Sequence, residues 1–425
     1  MAAWIGRALG LVLIVLSSLS GAVAQDDKIF EPEVPPGFRP DNDRAESGLW
    51  MIVDRHAEQL DYSKFILRQP DINAYVKSIA CRLAPAYCDD IRIYIVRTPY
   101  FNATMRPNGV MEIWSGLLLR VQNEAQLAAV IGHELAHYLL RHSIKNWQAR
   151  RDTSNVMAFL SLGLAVAAGA EAANTANLLA LAAMFQYGRS QETEADLYGM
   201  QMMVNAGYNP MAASNVWKFL NEERRVGCVS DYVSAQQKKS KRWDDRKALS
   251  VKKKATKRCR KAGRSLNDIL FASHPSSENR MELLQNKALG VNSVEVSVGY
   301  FNDRFDNHLA DYLQMFASDQ LQQHNFGRTE FILNHLDENP NLSAQVFFLK
   351  GELHRMRAAN GDLERAINFY QQSTRYENAP PEAYRGLGFM HMKNGNRPAA
   401  KSAFEKYLAL APEAQDKSMI EFYVR

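Results

Sequence analysis

Apolar positions along most of this chain recur at intervals of three and four, the period of helices buried along one face. The clearest run is Leu127, Val130, Ile131, Leu135 and Leu139. A start signal stands ahead of it, with Asn123 as N-cap and Gln126 three residues on. Alternating, β-branched stretches are few. Residues 91–97 and 110–114 are the main ones, and Asn108-Gly109 reads as a two-residue hairpin turn between them. The pattern predicts a mainly α (α+β) protein, largely helical with a small β-sheet or hairpin.

Two stretches, 156–170 and 178–185, are apolar without a polar face and rich in Ala and Gly. Each is shorter than the roughly 20 residues a membrane-spanning helix needs. They read either as a buried helical hairpin or as a lid or membrane-leaning element, not as a transmembrane span. Residues 1–24 have another pattern: Arg7, an apolar core, and Ala22-Val23-Ala24 before Gln25. That is the layout of a cleaved secretory signal. Four cysteines fit the oxidising compartment such a signal implies. Of the three possible connectivities, closeness in sequence favours Cys81–Cys88 with Cys228–Cys259.

Towards the C-terminus the period lengthens. Gly361-Asp362-Leu363-Glu364-Arg365-Ala366 and Gly395-Asn396-Arg397-Pro398-Ala399-Ala400 are offset by 34 residues, the tetratricopeptide period. Tyr384, Leu387, Gly388, Ala400, Phe404 and Pro412 fall where such a repeat places its packing residues. Units of this kind bury their apolar faces only against neighbours, so an α-solenoid of three or more helix pairs is expected over 301–425, serving as a substrate or partner module. A domain of residues 25–300 would precede it.

Net charge is +5, but 14 Lys or Arg and two Asp lie within 238–264. This run reads as a solvated, mobile insert of the first domain, near 235–264. The functional alternative is attraction to anionic lipid or to the phosphates of lipopolysaccharide. Nucleic-acid binding is excluded for an exported chain with no recognition motif.

The chemistry concentrates in Gly132-His133-Glu134-Leu135-Ala136-His137. Residues four apart share a helix face, so His133 and His137 can offer two imidazole nitrogens to one zinc ion. Glu134 leans toward the same opening and can act as general base. A catalytic zinc site needs a third protein ligand. Leu140 and Ser143 stand where a metzincin would have Gly and His, so that arrangement fails. Arg189-Ser190-Gln191-Glu192-Thr193-Glu194-Ala195-Asp196 supplies a carboxylate instead. Glu192 is the expected ligand and Asp196 the group that orients a ligand imidazole through its second nitrogen. Glu194 points elsewhere on the helix and is the weaker candidate. Ser273-His274-Pro275 followed by Arg280 offers donors for a developing oxyanion.

These three segments, in this order, resemble the HtpX and CAAX-prenyl endopeptidase family of gluzincin metallopeptidases over roughly residues 45–290. The resemblance implies one catalytic Zn²⁺ held by His133, His137 and Glu192, with Glu134 as base and Asp196 as orienter. It makes His274 and Arg280 transition-state stabilisers, and an imidazole close enough to the oxyanion could also swing onto the resting metal and close its fourth position. It further implies an edge-strand region beside the cleft, running from Phe101 through Gly109 to Leu118, where an extended peptide can add as a strand. An exported peptidase of this family joined to tetratricopeptide repeats is similar to periplasmic factors of outer-membrane assembly. That similarity implies cleavage of unfolded or misassembled outer-membrane proteins captured by the repeats. It also implies contact with the barrel assembly machinery and a periplasmic location, peripheral to the outer membrane. A chaperone-like adaptor with secondary proteolysis is the alternative function. A closed structural metal site is disfavoured, because it needs four ligands and no base.

Overall fold

Helix α1 (Ala45–Tyr62) leads into strand β1 (Ile66–Leu67), helix α2 (Pro70–Leu83), and strands β2 (Arg92–Val96), β3 (Ala103–Met105) and β4 (Val110–Trp114). Then come α3 (Ser115–Leu118), α4 (Glu124–Leu139) and α5 (His142–Asp152). The computed structural model describes residues 29–41, 45–152, 187–239, 244–259, 278–291, 298–337 and 340–425. The expected signal at 1–24, the apolar runs 156–170 and 178–185, and His274 lie outside these residues. The described chain resumes with α6 (Arg189–Asn205), α7 (Met211–Lys239), α8 (Asp245–Cys259) and α9 (Glu278–Gly290). It ends with α10 (Val298–Gln322), α11 (Phe326–Leu336), α12 (Ser343–Arg357), α13 (Asp362–Ser373), α14 (Pro381–Lys393), α15 (Arg397–Leu410) and α16 (Lys417–Val424). The fold is mainly helical with one small sheet, as the periodicity predicts. Among the described residues, no helix is long and apolar enough to cross a membrane.

The sheet has four strands in the order β1-β2-β4-β3. Its topology corrects one expectation. Residues 91–97 and 110–114 do not form a hairpin: β2 and β4 run parallel, Arg92 opposite Val110 and Val96 opposite Trp114. The hairpin joins β3 to β4, with Ala103 opposite Ile113 and Met105 opposite Met111. Arg106 donates its amide to the Val110 carbonyl at 2.8 Å, and Gly109 donates to the Arg106 carbonyl at 3.0 Å. Asn108-Gly109 is thus the end of a three-residue loop begun by Pro107, with Gly109 at φ 80° in the left-handed position such loops require. Strand β3 makes the return that the parallel pair β2 and β4 needs, running back from the end of β2 before the chain turns into β4. This leaves β3 at the sheet edge, packed against α4.

Helix α4 runs through the interior. Asn123 accepts a hydrogen bond from the Gln126 amide at 2.9 Å, and Gln126 accepts one from the Gln122 amide at 3.0 Å. Every residue from Ile131 to Leu140 is buried, so this helix is covered on all sides. Glu124, buried in the first turn, accepts from the hydroxyls of Tyr75 and Tyr208, each at 2.7 Å, and from Arg82 at 2.8 Å. Helix α6 crosses α4 at two glycines. A Cβ on Gly199 would stand 2.8 Å from the His133 amide nitrogen and 2.9 Å from the Gly132 carbonyl carbon. The two backbones meet at a spacing only glycine permits.

Helix α7 packs against α4, α8, α9 and α11. Both expected disulfides are present, Cys81–Cys88 from the last turn of α2 to the chain just beyond it and Cys228–Cys259 between α7 and α8. The basic run read as a mobile insert is, in its described part, a helix clamped to α7. Ala255 and Cys259 turn inward while Lys252, Lys253, Lys254 and Lys257 face solvent. Ala at 248 and 255 and Cys259 recur at helical spacing, a signal the charge density masked.

From α11 to α16 each helix packs on the next. Gly361 and Gly395, 34 residues apart, share φ 77° at the turns before α13 and α15. Ala400 and Phe404 are buried with Tyr407 and Ile420, and Tyr384 packs against them. Helix α10 ties this array to the sheet side: Arg97 forms a two-pronged ion pair with Asp319 at 2.7 and 2.8 Å, and Tyr312 donates to Asp71 at 2.8 Å.

Gly199→Ala should force α4 and α6 apart and lower stability by about 1–3 kcal/mol, the usual cost of overpacking a tight core contact. Denaturant titration of the substituted chain checks this; a loss within experimental error of zero would show that the crossing has slack.

Candidate metal centre

The α4–α6 crossing brings the three candidate ligands together. His133 and His137 sit one turn apart on α4, and Glu192 faces them from the first turn of α6. His133 Nε2 and His137 Nε2 are 3.1 Å apart, and each lies 3.7 Å from a Glu192 carboxylate oxygen. Tetrahedral coordination at about 2.0–2.1 Å implies ligand–ligand separations of roughly 3.3–3.4 Å. Two imidazoles and one carboxylate at these spacings fit a zinc ion with a fourth position left for water or substrate. They form a cluster able to hold a metal ion. Glu134, the residue after the first imidazole, is buried at 2 % exposure alongside them.

Behind these groups lies a second layer of charge. His133 Nδ1 is 3.0 Å from Asp196 Oδ1, the orientation expected of Asp196. Burial works to raise the Asp196 carboxyl, but the Arg280 guanidinium and the His133 hydrogen bond outweigh it and hold the group below its ordinary range. Arg280 donates from Nε and Nη2 to Asp196 at 2.7 and 2.6 Å, and from Nη1 to Glu192. Its guanidinium also covers the Trp217 ring, 4.4 Å from the centroid. The structure therefore places Arg280 against the carboxylates of the cluster, clamped between α6 and α7. Position 274, its expected companion, lies outside the described residues.

Tyr187 and His142 close the far side of His137, and sequence spacing found neither. The Tyr187 ring stacks on the His137 imidazole, centroids 3.7 Å apart and planes at 15°. Its hydroxyl shares a 2.8 Å hydrogen bond with Ser143, and burial pushes its pKa well up. His142 Nδ1 lies 2.8 Å from His137 Nδ1, and Glu194 Oε2 lies 3.3 Å from His142 Nε2. Burial lowers the His142 pKa to about 4 against the opposing charge of Glu194, so the imidazole is neutral at ordinary pH. On an unbroken helix His142 would lie about 140° around from His137. The helix ends first: Arg141 takes φ 53° and swings His142 back to its neighbour. The sequence signal was the third histidine itself, close behind the motif but out of helical phase.

Residues 66–288, just over half of the chain, match the family model described as peptidase family M48. The chain belongs to that family. It is 29 % identical over 225 residues to a Vibrio cholerae protein assigned as a beta-barrel assembly-enhancing protease, covering 51 % of this chain and 46 % of that one. It is 27 % identical over 181 residues to the beta-barrel assembly-enhancing protease of Escherichia coli K12, covering 40 % and 37 %. With the mitochondrial metalloendopeptidase OMA1 of Arabidopsis thaliana it shares 33 % identity over 153 residues, 35 % and 30 % of the two chains. The matched stretch spans less than half the length of each of these relatives.

In the metal-free chain Arg280→Met leaves two buried carboxylates uncompensated, and the expected loss is about 3–5 kcal/mol of stability. Denaturant unfolding in the presence of chelator measures it; a loss below about 1 kcal/mol would mean that Arg280 does not neutralise the pair.

Proposed function

We propose, from the chain's membership of peptidase family M48, that it is a zinc-dependent endopeptidase of the gluzincin, HtpX and CAAX-prenyl endopeptidase type. The observation that carries this reading is the convergence of His133, His137 and Glu192 donor atoms within 4.8 Å, with Glu134 buried beside them. In the proposed site these three side chains hold the metal. Zinc bound there supplies Lewis acidity toward the scissile carbonyl and the attacking water. Glu134 takes the proton from that water and delivers it to the leaving amine nitrogen. Asp196 fixes the His133 ring so that Nε2 faces the cluster. Arg280, assigned by resemblance to the oxyanion, is better placed to hold Glu192 and Asp196, and oxyanion stabilisation then falls to His274. Strand β3, at the sheet edge and against α4, is the proposed place where an extended substrate segment adds as a strand.

The substrates proposed are unfolded or misassembled outer-membrane proteins met in the periplasm after export, in keeping with the names of the Vibrio and Escherichia relatives. Residues 25–300 form the proposed peptidase domain and 301–425 the tetratricopeptide domain. The latter presents clients and docks on the barrel assembly machinery. The 34-residue offset, with both glycines at φ 77°, supports this division. The exposed lysines of α8 suit contact with anionic lipid or lipopolysaccharide phosphate.

Glu134→Gln should retain zinc and lose roughly 10²–10⁴-fold in cleavage of an unfolded outer-membrane protein. Parallel zinc quantification and a cleavage assay decide it. Cleavage by the variant at the native rate would exclude Glu134 as the base. Absence of zinc from the native chain would exclude the metallopeptidase reading.

A further inference from the structure

Glu192, Glu194 and Asp196 occupy alternate positions of the first turns of α6, and the proposed mechanism uses only the outer two. Successive alternate residues point about 200° apart on a helix, so Glu194 cannot share the face of Glu192. It reaches His142 instead, which is fully buried, and His142 reaches His137. The direction of the His137–His142 hydrogen bond follows from the ligand end. His137 Nε2 is the atom that faces His133 and Glu192, so its lone pair is the one offered to a metal. A neutral imidazole then carries its hydrogen on Nδ1. That hydrogen has an acceptor 2.8 Å away in His142 Nδ1, whose own hydrogen must consequently sit on Nε2, an atom that makes no hydrogen bond among the described residues but lies 3.3 Å from Glu194 Oε2, within reach of its charge.

We infer that His142 and Glu194 are positioning residues that together orient His137 for zinc, an imidazole relay standing where His133 has Asp196 directly. The inference rests on the zinc site proposed above. Both ligand imidazoles thereby end on carboxylates of one helix, His133 in one step and His137 in two. The relay explains why the helix breaks at Arg141: only the left-handed turn returns His142 to His137. Tyr187, stacked at 3.7 Å on the His137 face, restricts the ring to rotation in its own plane, and the His142 hydrogen bond fixes that remaining freedom.

The test measures zinc affinity of the full chain by chelator competition, for the native protein, Glu194→Gln, His142→Asn, His142→Leu and the double variant His142→Leu/Glu194→Gln. Loss of an outer hydrogen-bond partner typically lowers metal affinity about 10–100-fold, and that loss is expected for His142→Leu. His142→Asn restores an acceptor near the Nδ1 position and should recover most of the affinity. Glu194→Gln, on a partly exposed side chain, should weaken zinc several-fold while leaving the metal-free melting temperature unchanged. Because Glu194 acts through His142, the double variant should bind zinc no more weakly than His142→Leu alone. Native affinity in His142→Leu, equal losses in the Asn and Leu variants, or multiplying losses in the double variant would each overturn the relay. A native chain without zinc affinity would instead remove the metal-site reading beneath it.

Discussion

The site depends on one backbone contact, the crossing of α4 and α6 at Gly132 and Gly199. Side chains of ordinary size hold packed helices roughly 8–10 Å apart, axis to axis. At this crossing a single added methyl carbon would meet the neighbouring backbone at 2.8 Å. The close approach is what lets the short side chain of Asp196 touch His133 and brings Glu192 between the two imidazoles. With wider spacing the same residues would form two separate polar patches, one on each helix.

Such convergence carries an electrostatic burden. Glu134, Glu192 and Asp196 are all buried on the two crossing helices, where unpaired charge is expensive. Arg280 answers part of it by donating to both Glu192 and Asp196 while its flat face rests on Trp217. A guanidinium suits the position because its donors lie in one plane and can serve two acceptors at once. His133, His137 and Glu192 form a cluster that could hold a metal ion. Neutralisation of the buried carboxylates thus comes from α9, which brings Arg280, while the α4–α6 pair brings together the groups proposed to hold the metal.

Much of this was legible in the sequence, for particular reasons. Helix α4 announced itself through Asn123, Gln126 and its apolar spacing, and residues four apart on a helix have little choice but to share a face. Glu192 and Asp196 could be paired with those histidines by the same geometry, and both disulfides followed from closeness in sequence. The errors share a cause: each depended on contacts that local pattern does not encode. Asn108-Gly109 looks like a two-residue turn, but Pro107 and the parallel pairing of β2 with β4 make it part of a three-residue loop. His142 is out of phase with His137 on any continuous helix, so a break at Arg141 had to be known before the pair could be seen. Glu194 looked idle for the same reason, since its partner was hidden. The lysine-rich run concealed a helix because its inward positions are small residues, weak signals beside so many charges.

Zinc K-edge X-ray absorption on the purified chain tests the central claim most directly, that the α4–α6 crossing builds a mononuclear His₂Glu site. Such a site gives nitrogen and oxygen neighbours at about 2.0–2.1 Å, the outer scattering of two imidazoles, and no sulfur. Sulfur scatterers near 2.3 Å, or scattering from fewer than two imidazoles, would contradict it.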